Sequence, residues 1–224
     1  MSNDPDELAR QTGELRTRLA GMAERAEGCV ALALEGLETG LDGSDADTAI
    51  LAAENDPSYV HIQNGVLAII ALHHPVGAQL RALTGLLHAS LHLERMIELG
   101  VGMVRTVQRA GDARGDDDVV QQLLEMGAYS RQVAARAVEA FLEGDDVAQE
   151  VQRLDDAVDR LYAGIFDRLL RLAGDDRVRF DWATAMIHLT RQLERYADHA
   201  VDVAEQAASV QTGEPVRLRR AATS

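Results

Sequence analysis

The sequence predicts an all-α chain, two tandem three-helix bundles related by internal duplication. Three observations carry this. Leu93-Glu94-Arg95 recurs as Leu193-Glu194-Arg195, and the same offset of 100 residues relates Asp56 to Asp156, Leu72 to Leu172, Thr84 to Thr184, His88 to His188 and Val101 to Val201 without gaps. Such a period is too long for a solenoid repeat and suits a duplicated small helical unit. Apolar residues recur at steps of three and four through long segments, and no segment sustains strand alternation. Hydrophobic residues make up 46% of the chain but aromatics only 4%, so the core is Leu, Ala, Val and Met, a palette for close helix packing.

Six helical segments can be read in order. The first runs from about Asp4 to Leu41, with Leu8, Leu15, Leu19, Met22, Ala26, Cys29 and Ala33 on one stripe. The run Asp42-Gly43-Ser44-Asp45 breaks it, and Ser44 or Asp45 is placed to cap the next helix. The second extends to about Leu72 with an irregularity at Pro57, and His73-His74-Pro75 is a stop and restart. The third spans about Val76 to Arg109, and the apolar-poor stretch Gly111 to Asp118 links the halves. Helices over about Asp118–Glu143, Val147–Leu172 and Val178–Gln211 repeat the order, ended by Gly144-Asp145, by Gly174-Asp175-Asp176 and by the tail. Short loops make sequential helices antiparallel neighbours. The expected units are therefore 1–112 and 113–212, with 213–224, which holds Arg217, Arg219 and Arg220, a disordered tail.

Composition excludes several roles. A formal charge of −15 opposes nucleic-acid binding, which needs a basic surface, and equally opposes docking on anionic lipid. All 22 basic residues are Arg, which reads as compositional bias. A single Cys29 cannot form an intramolecular disulfide or a thiolate metal site and fits a reduced, cytoplasmic location. The polar N-terminus reads as no signal peptide, and the apolar stretch Val66–Leu72 is far short of the roughly 20 residues of a membrane span.

The last helix reads almost as a wheel. Trp182, Met186, Leu189, Leu193, Tyr196, Ala200, Val203 and Ala207 form an unbroken inward seam. Glu194, Asp198, Asp202 and Glu205 lie nearly opposite, within roughly 80° of arc, as a carboxylate stripe expected on the outer face. Like charges one turn apart cost roughly 0.2–0.5 kcal/mol per pair. A hard cation would relieve that, since carboxylates suit Mg, Ca, Mn or Fe. An ordinary solvated acidic face is the competing reading. The third helix keeps the seam through Ala82, Leu86, Ala89, Leu93, Met96, Gly100, Met103 and Val107, but only Glu94 and Glu98 of its stripe remain. Gly102 stands where Asp202 stands and Arg105 where Glu205 stands, so the second half is expected to hold metal better.

These residues carry a resemblance. His74-Pro75-Val76-Gly77-Ala78-Gln79-Leu80-Arg81 with Leu93-Glu94-Arg95 resembles the first signature of the PhoU family, and Leu193-Glu194-Arg195-Tyr196-Ala197-Asp198-His199-Ala200 resembles its second. Glu54-Asn55-Asp56 and Thr212-Gly213-Glu214-Pro215-Val216 are also similar to family members. The resemblance spans nearly the whole chain. It implies a non-enzymatic cytoplasmic regulator of phosphate uptake. Family members act with the ATPase subunit of a phosphate ABC transporter and with a sensor histidine kinase, holding the phosphate-starvation response off. It also implies one Glu/Asp-x-x-x-Asp motif per half, able to hold iron or another hard cation. Glu194 and Asp198 match the second motif and Asp202 continues it, whereas Glu98 replaces the usual Asp after Glu94, and Gln79 replaces an Asp.

Other constellations carry less. His88 and His92 share a helix face at metal-binding spacing without a third ligand in the pattern, and read as helix contacts or surface. His73 and His74 read as surface residues, and His199 lies about 100° from Asp198 around the helix. No phosphate-binding glycine loop, nucleophile elbow or Cys/His dyad is present. The expectation is an adaptor; the alternatives are a metal-dependent phosphohydrolase and a metal-binding helical scaffold. A homodimer is also expected, with no unbroken exposed apolar patch visible in the pattern.

Overall fold

The structure is a computed structural model that describes residues 5–41, 43–111, 115–173 and 177–218. The described residues form seven helices: α1 (Pro5–Thr39), α2 (Gly43–Glu54), α3 (Ser58–His73), α4 (Ala78–Ala110), α5 (Asp117–Glu143), α6 (Ala148–Leu172) and α7 (Arg177–Thr212). No strand occurs among them. The helix-stop at Gly174-Asp175-Asp176, the middle of the interhalf linker and the tail beyond residue 218 lie outside the described residues, as do the side chains of Ser44 and Asp45.

The helix ends follow local chemistry. Asp116 is extended, and its carboxylate accepts the Val119 N–H at 3.0 Å, capping α5. Arg168 of α6 reaches the Asp116 and Asp118 carboxylates at 2.9 and 2.8 Å, tying α6 across that end. At the far end Gly144, in the left-handed region at φ 90°, returns its N–H to the Ala140 carbonyl. His74 ends α3 in the same conformation at φ 49°, giving the stop before Pro75.

The expected second helix is broken rather than bent. Pro57 offers no N–H and disfavours helical backbone at Asp56. Asp56 takes the Ser58 N–H at 3.0 Å and the Ser58 hydroxyl at 2.7 Å, starting α3 afresh, and pairs with Arg25 of α1.

The seams pack as expected. All seven stripe residues of α1 and all eight seam residues of α7 are buried, as is the α4 seam except for half-buried Ala82. α2 and α3 pack on α1 and α4, and α6 on α5 and α7. The halves then join face to face: α4 lies along α7 and α1 along α5, so all seven helices feed one apolar core. Arg81 lies beside Gly213, Gly85 beside Val210, His88 beside Gln206, His92 beside His199 and Gly102 beside Gln192, so α4 and α7 run antiparallel. With the offset of 100 residues, this places a pseudo-two-fold axis near Ile97 and Ala197.

The halves differ at their middle rods. α3 carries no Asp, Glu or Arg. Beyond its buried Ile62, Val66 and Ile69 it exposes Val60, Asn64, Leu67, Ala68 and Ala71 on one face, with Leu72, Val76 and Leu51 of α2 exposed nearby in sequence. This is an exposed apolar face that the sequence pattern did not reveal. α6 instead exposes Arg153, Arg160, Asp167 and Arg171.

Gly100 marks a close approach of α4 to α1. A Cβ there would sit 2.7 Å from the Cys29 Cβ and 3.4 Å from the Ala26 carbonyl oxygen, neither of which a rotamer change can move. Gly100→Ala is expected to destabilise by about 1–3 kcal/mol through overpacking. Gly164, exposed on α6 with nothing within 4 Å of a Cβ, provides the contrast. Gly164→Ala is expected to stabilise by roughly 0.5–1 kcal/mol. Denaturant unfolding of both variants checks the pair, and equal effects would contradict this packing.

Candidate functional site

The α7 stripe does not lie on an outer face. Glu194, Asp198 and Asp202 are half-buried and Glu205 is buried, on a helix that packs against α4, α5 and α6. The Glu205 carboxylate accepts the Leu218 N–H at 2.9 Å and pairs with Arg217 at 2.8 Å. Val216 N–H donates to the Ser209 hydroxyl at 2.9 Å, and Leu218 packs on the core. The segment 213–218, expected to be disordered, is therefore folded back along α7. Glu205 anchors it.

Asp202 turns towards α4. Its Oδ2 lies 3.4 Å from His92 Nδ1 and 3.7 Å from His199 Nδ1, and the two Nδ1 atoms are 3.3 Å apart. The imidazoles tilt at 45° with centroids 5.5 Å apart. Burial pushes the His92 pKa down, opposed by the Asp202 charge and reinforced by His199 and His88. The three side chains are between a fifth and a quarter exposed, within reach of solvent. Among the described residues, this trio and the more open Glu139, Glu143 and Asp145 are the groups whose potential ligand atoms all lie within 4.8 Å of one another. His92 thus has the partners that its own helix did not display; they come from α7.

In the first half Glu94 is half-buried and Glu98 exposed. Burial pushes the Glu94 carboxyl above its usual range, and the Glu98 and Asp56 charges add to the rise. Glu98 pairs with Arg95 at 2.6 Å. Arg105 reaches out to Glu54 of α2 at 2.6 Å, and Gly102 backs onto Gln192. Periodicity misses Asp56, since it stands in a turn rather than on a stripe. Its recurrence as Asp156 is the available signal. Periodicity misses buried Asp155 of α6 as well.

The fold and this face define a class: a duplicated helical bundle with a half-buried polar strip along the contact of its two longest signature helices. Residues 123–207 match the family model of the PhoU domain. Over 208 residues, 92% of this chain and 94% of the relative, the chain is 28% identical to the phosphate-specific transport system accessory protein PhoU homolog of Clostridium acetobutylicum. It is 27% identical to the homolog of Caulobacter vibrioides over 96% of this chain and 92% of the relative. The crystal structure of PhoU from Pseudomonas aeruginosa superposes with a TM-score of 0.78 at 22% identity, covering 92% of this chain and 99% of that one. The phosphate transport system regulatory protein PhoU of Streptococcus pneumoniae superposes at 0.72 and 22% identity, covering 94% and 100%. The chain thus carries a match to the PhoU domain over residues 123–207 and is similar to PhoU homologs over nearly its whole length.

The raised Glu94 pKa sets a pH dependence. The folded state holds this proton more tightly than the unfolded state, so stability falls as pH climbs from the ordinary Glu range through the folded value. In metal-free protein, Glu94→Gln is expected to raise stability at neutral pH, with the gain vanishing below the ordinary Glu range. Urea midpoints measured across this pH range check the sign.

Proposed function

We propose that this chain is a regulatory adaptor of phosphate uptake, joining the ATPase subunit of a phosphate ABC transporter to a sensor histidine kinase and holding the phosphate-starvation response off. One observation carries the reading: similarity to phosphate-transport accessory proteins runs nearly end to end on both sides of the alignment. An adaptor works through surfaces, and the uncharged face of α3 is one departure of the first half from the second. No described helix is long and apolar enough to cross a membrane, so in this reading the chain acts at the cytoplasmic side through its partners.

The carboxylates belong to the same reading. Glu194, Asp198 and Asp202 in the second half, and Glu94 and Glu98 in the first, would hold iron or another hard cation. The donor set is all oxygen, which suits such ions. The charge that Glu98 and Asp56 impose on Glu94 is what a cation would relieve. The ion has a structural or sensing role here and no catalytic one. A homodimer is part of the reading, checked by light scattering.

A strain lacking the chain, grown in excess phosphate, is expected to express a phosphate-starvation reporter strongly, and the wild-type chain to silence it. Val60→Asp with Leu67→Asp, both about half exposed, is expected to leave stability within about 0.5 kcal/mol yet fail to silence the reporter. A reporter that stays low without the chain would defeat the adaptor reading.

The metal is tested separately, by elemental analysis of protein purified from iron-replete cells. Bound iron that is lost in Glu194→Gln with Asp198→Asn is the expected result. Equal metal content in the two proteins would remove the carboxylates from the reading.

A further inference from the structure

We propose that His92, His199 and Asp202 form a binding site for a divalent transition cation of the Zn2+ class, bridging α4 and α7. Their donor atoms make a small triangle. His92 Nδ1, His199 Nδ1 and Asp202 Oδ2 are separated by 3.3, 3.4 and 3.7 Å. A tetrahedral ion with ligand bonds of about 2.0–2.1 Å holds its donors roughly 3.3–3.4 Å apart. The three atoms therefore already stand at about the spacing of one face of that tetrahedron, and an ion needs only small side-chain adjustments. Partial exposure of all three side chains leaves the fourth position to water.

Ligand chemistry selects the ion. Two imidazoles and one carboxylate suit Zn2+, Fe2+, Co2+ or Ni2+, whereas Mg2+ and Ca2+ favour oxygen donors. This distinguishes the site from the all-carboxylate one proposed above, on which it does not depend. Asp202 is claimed by both, and its short distances to the two imidazoles place it with the histidines.

The cluster is not a by-product of duplication. Across the pseudo-two-fold axis the corresponding residues are Gln192, Leu99 and Gly102, which supply no comparable ligand set. There Gln192 backs onto Gly102 and its Oε1 accepts the Thr106 hydroxyl at 3.2 Å. One half thus has a neutral polar contact where the other has two histidines and a carboxylate. An ion here would join α4 of the first half to α7 of the second, next to the axis about which the halves are related.

The same comparison supplies gentle variants. His92→Gln and His199→Leu install residues that the chain itself uses at the equivalent positions. The test is Zn2+ titration of metal-stripped full-length chain by calorimetry, with Co2+ as a visible-absorption probe. The expected result is one Zn2+ per chain and the absorption of tetrahedral Co2+ with nitrogen and oxygen ligands. Loss of even an outer-shell partner typically costs roughly 10–100-fold in affinity, so His92→Gln and His199→Leu are each expected to cost at least that much. Circular dichroism confirms that both fold. Glu194→Gln with Asp198→Asn, which removes the carboxylate motif, is expected to leave Zn2+ binding at this site intact. Zn2+ affinity unchanged in both histidine variants, or no saturable binding by the wild type, would overturn the proposal. Loss of Zn2+ only in the carboxylate variant would overturn it while sparing the carboxylate reading.

Discussion

The antiparallel contact of α4 with α7 is the constraint on which the rest of the structure depends. Each helix already gives one side to the core of its own half. Lying along each other commits part of a second side, so little of either helix is left to solvent. The approach is close because Gly85 and Gly102 present bare backbone to Val210 and Gln192. Buried polar groups on this strip must then find partners within it. Thr106 is buried and donates to the Gly102 carbonyl at 2.8 Å and to Gln192 Oε1 at 3.2 Å, and His88 Nδ1 meets Gln206 Oε1 at 3.3 Å. The strip is polar and paired, and that makes it selective about which side chains it accepts.

Duplication explains why the seams agree and the strip does not. A seam residue fills volume in a close-packed interior, where a change of one methylene is felt. Leu93 and Leu193, Met96 and Tyr196, Met103 and Val203 have stayed apolar and buried. The strip is governed by pairing, and a pair can change as a unit. His92 with Asp202 on one side of the axis and Gln192 with Gly102 on the other are two solutions to the same crossing. Arg105 and Glu205 differ for a related reason. Arg105 faces out towards Glu54 of α2, while Glu205 faces the folded-back segment at Arg217 and Leu218.

Most of the fold was legible in the sequence because helical periodicity reports the seam directly. The expected boundaries of the long helices fall within one or two residues of the observed ends, and Pro57 and His74-Pro75 stand where the chain breaks. The candidate site was less legible. A helical wheel fixes the angle between Glu194 and Leu193, but not whether a second helix lies against the far flank. A wheel alone therefore puts the carboxylates outside, when the assembled bundle leaves them half-buried. His92 lacks a third ligand in the pattern for the same reason: its partners are more than 100 residues away in sequence, and i, i+4 spacing sees only one helix. The apolar face of α3 is hidden in the sequence because a short uncharged helix reads as a buried one. Only the packing reveals that Val60 and Leu67 are about half exposed.

Glu205 illustrates how one buried charge organises the chain beyond its own helix. A carboxylate withdrawn from water is costly unless donors replace its hydration. Here the donors come from the residues after Thr212. Arg217 supplies a charge, but its side chain is 83% exposed and that pairing is screened by solvent. The firmer tie is the backbone N–H of Leu218, whose side chain packs on the core at the same point. Gly213, at φ 79°, makes the reversal that brings the segment back. A short run with three arginines near its end reads as disordered when only its own residues are considered. It folds back as far as residue 218 because a carboxylate two turns before the end of α7 needs a donor, and this segment supplies one.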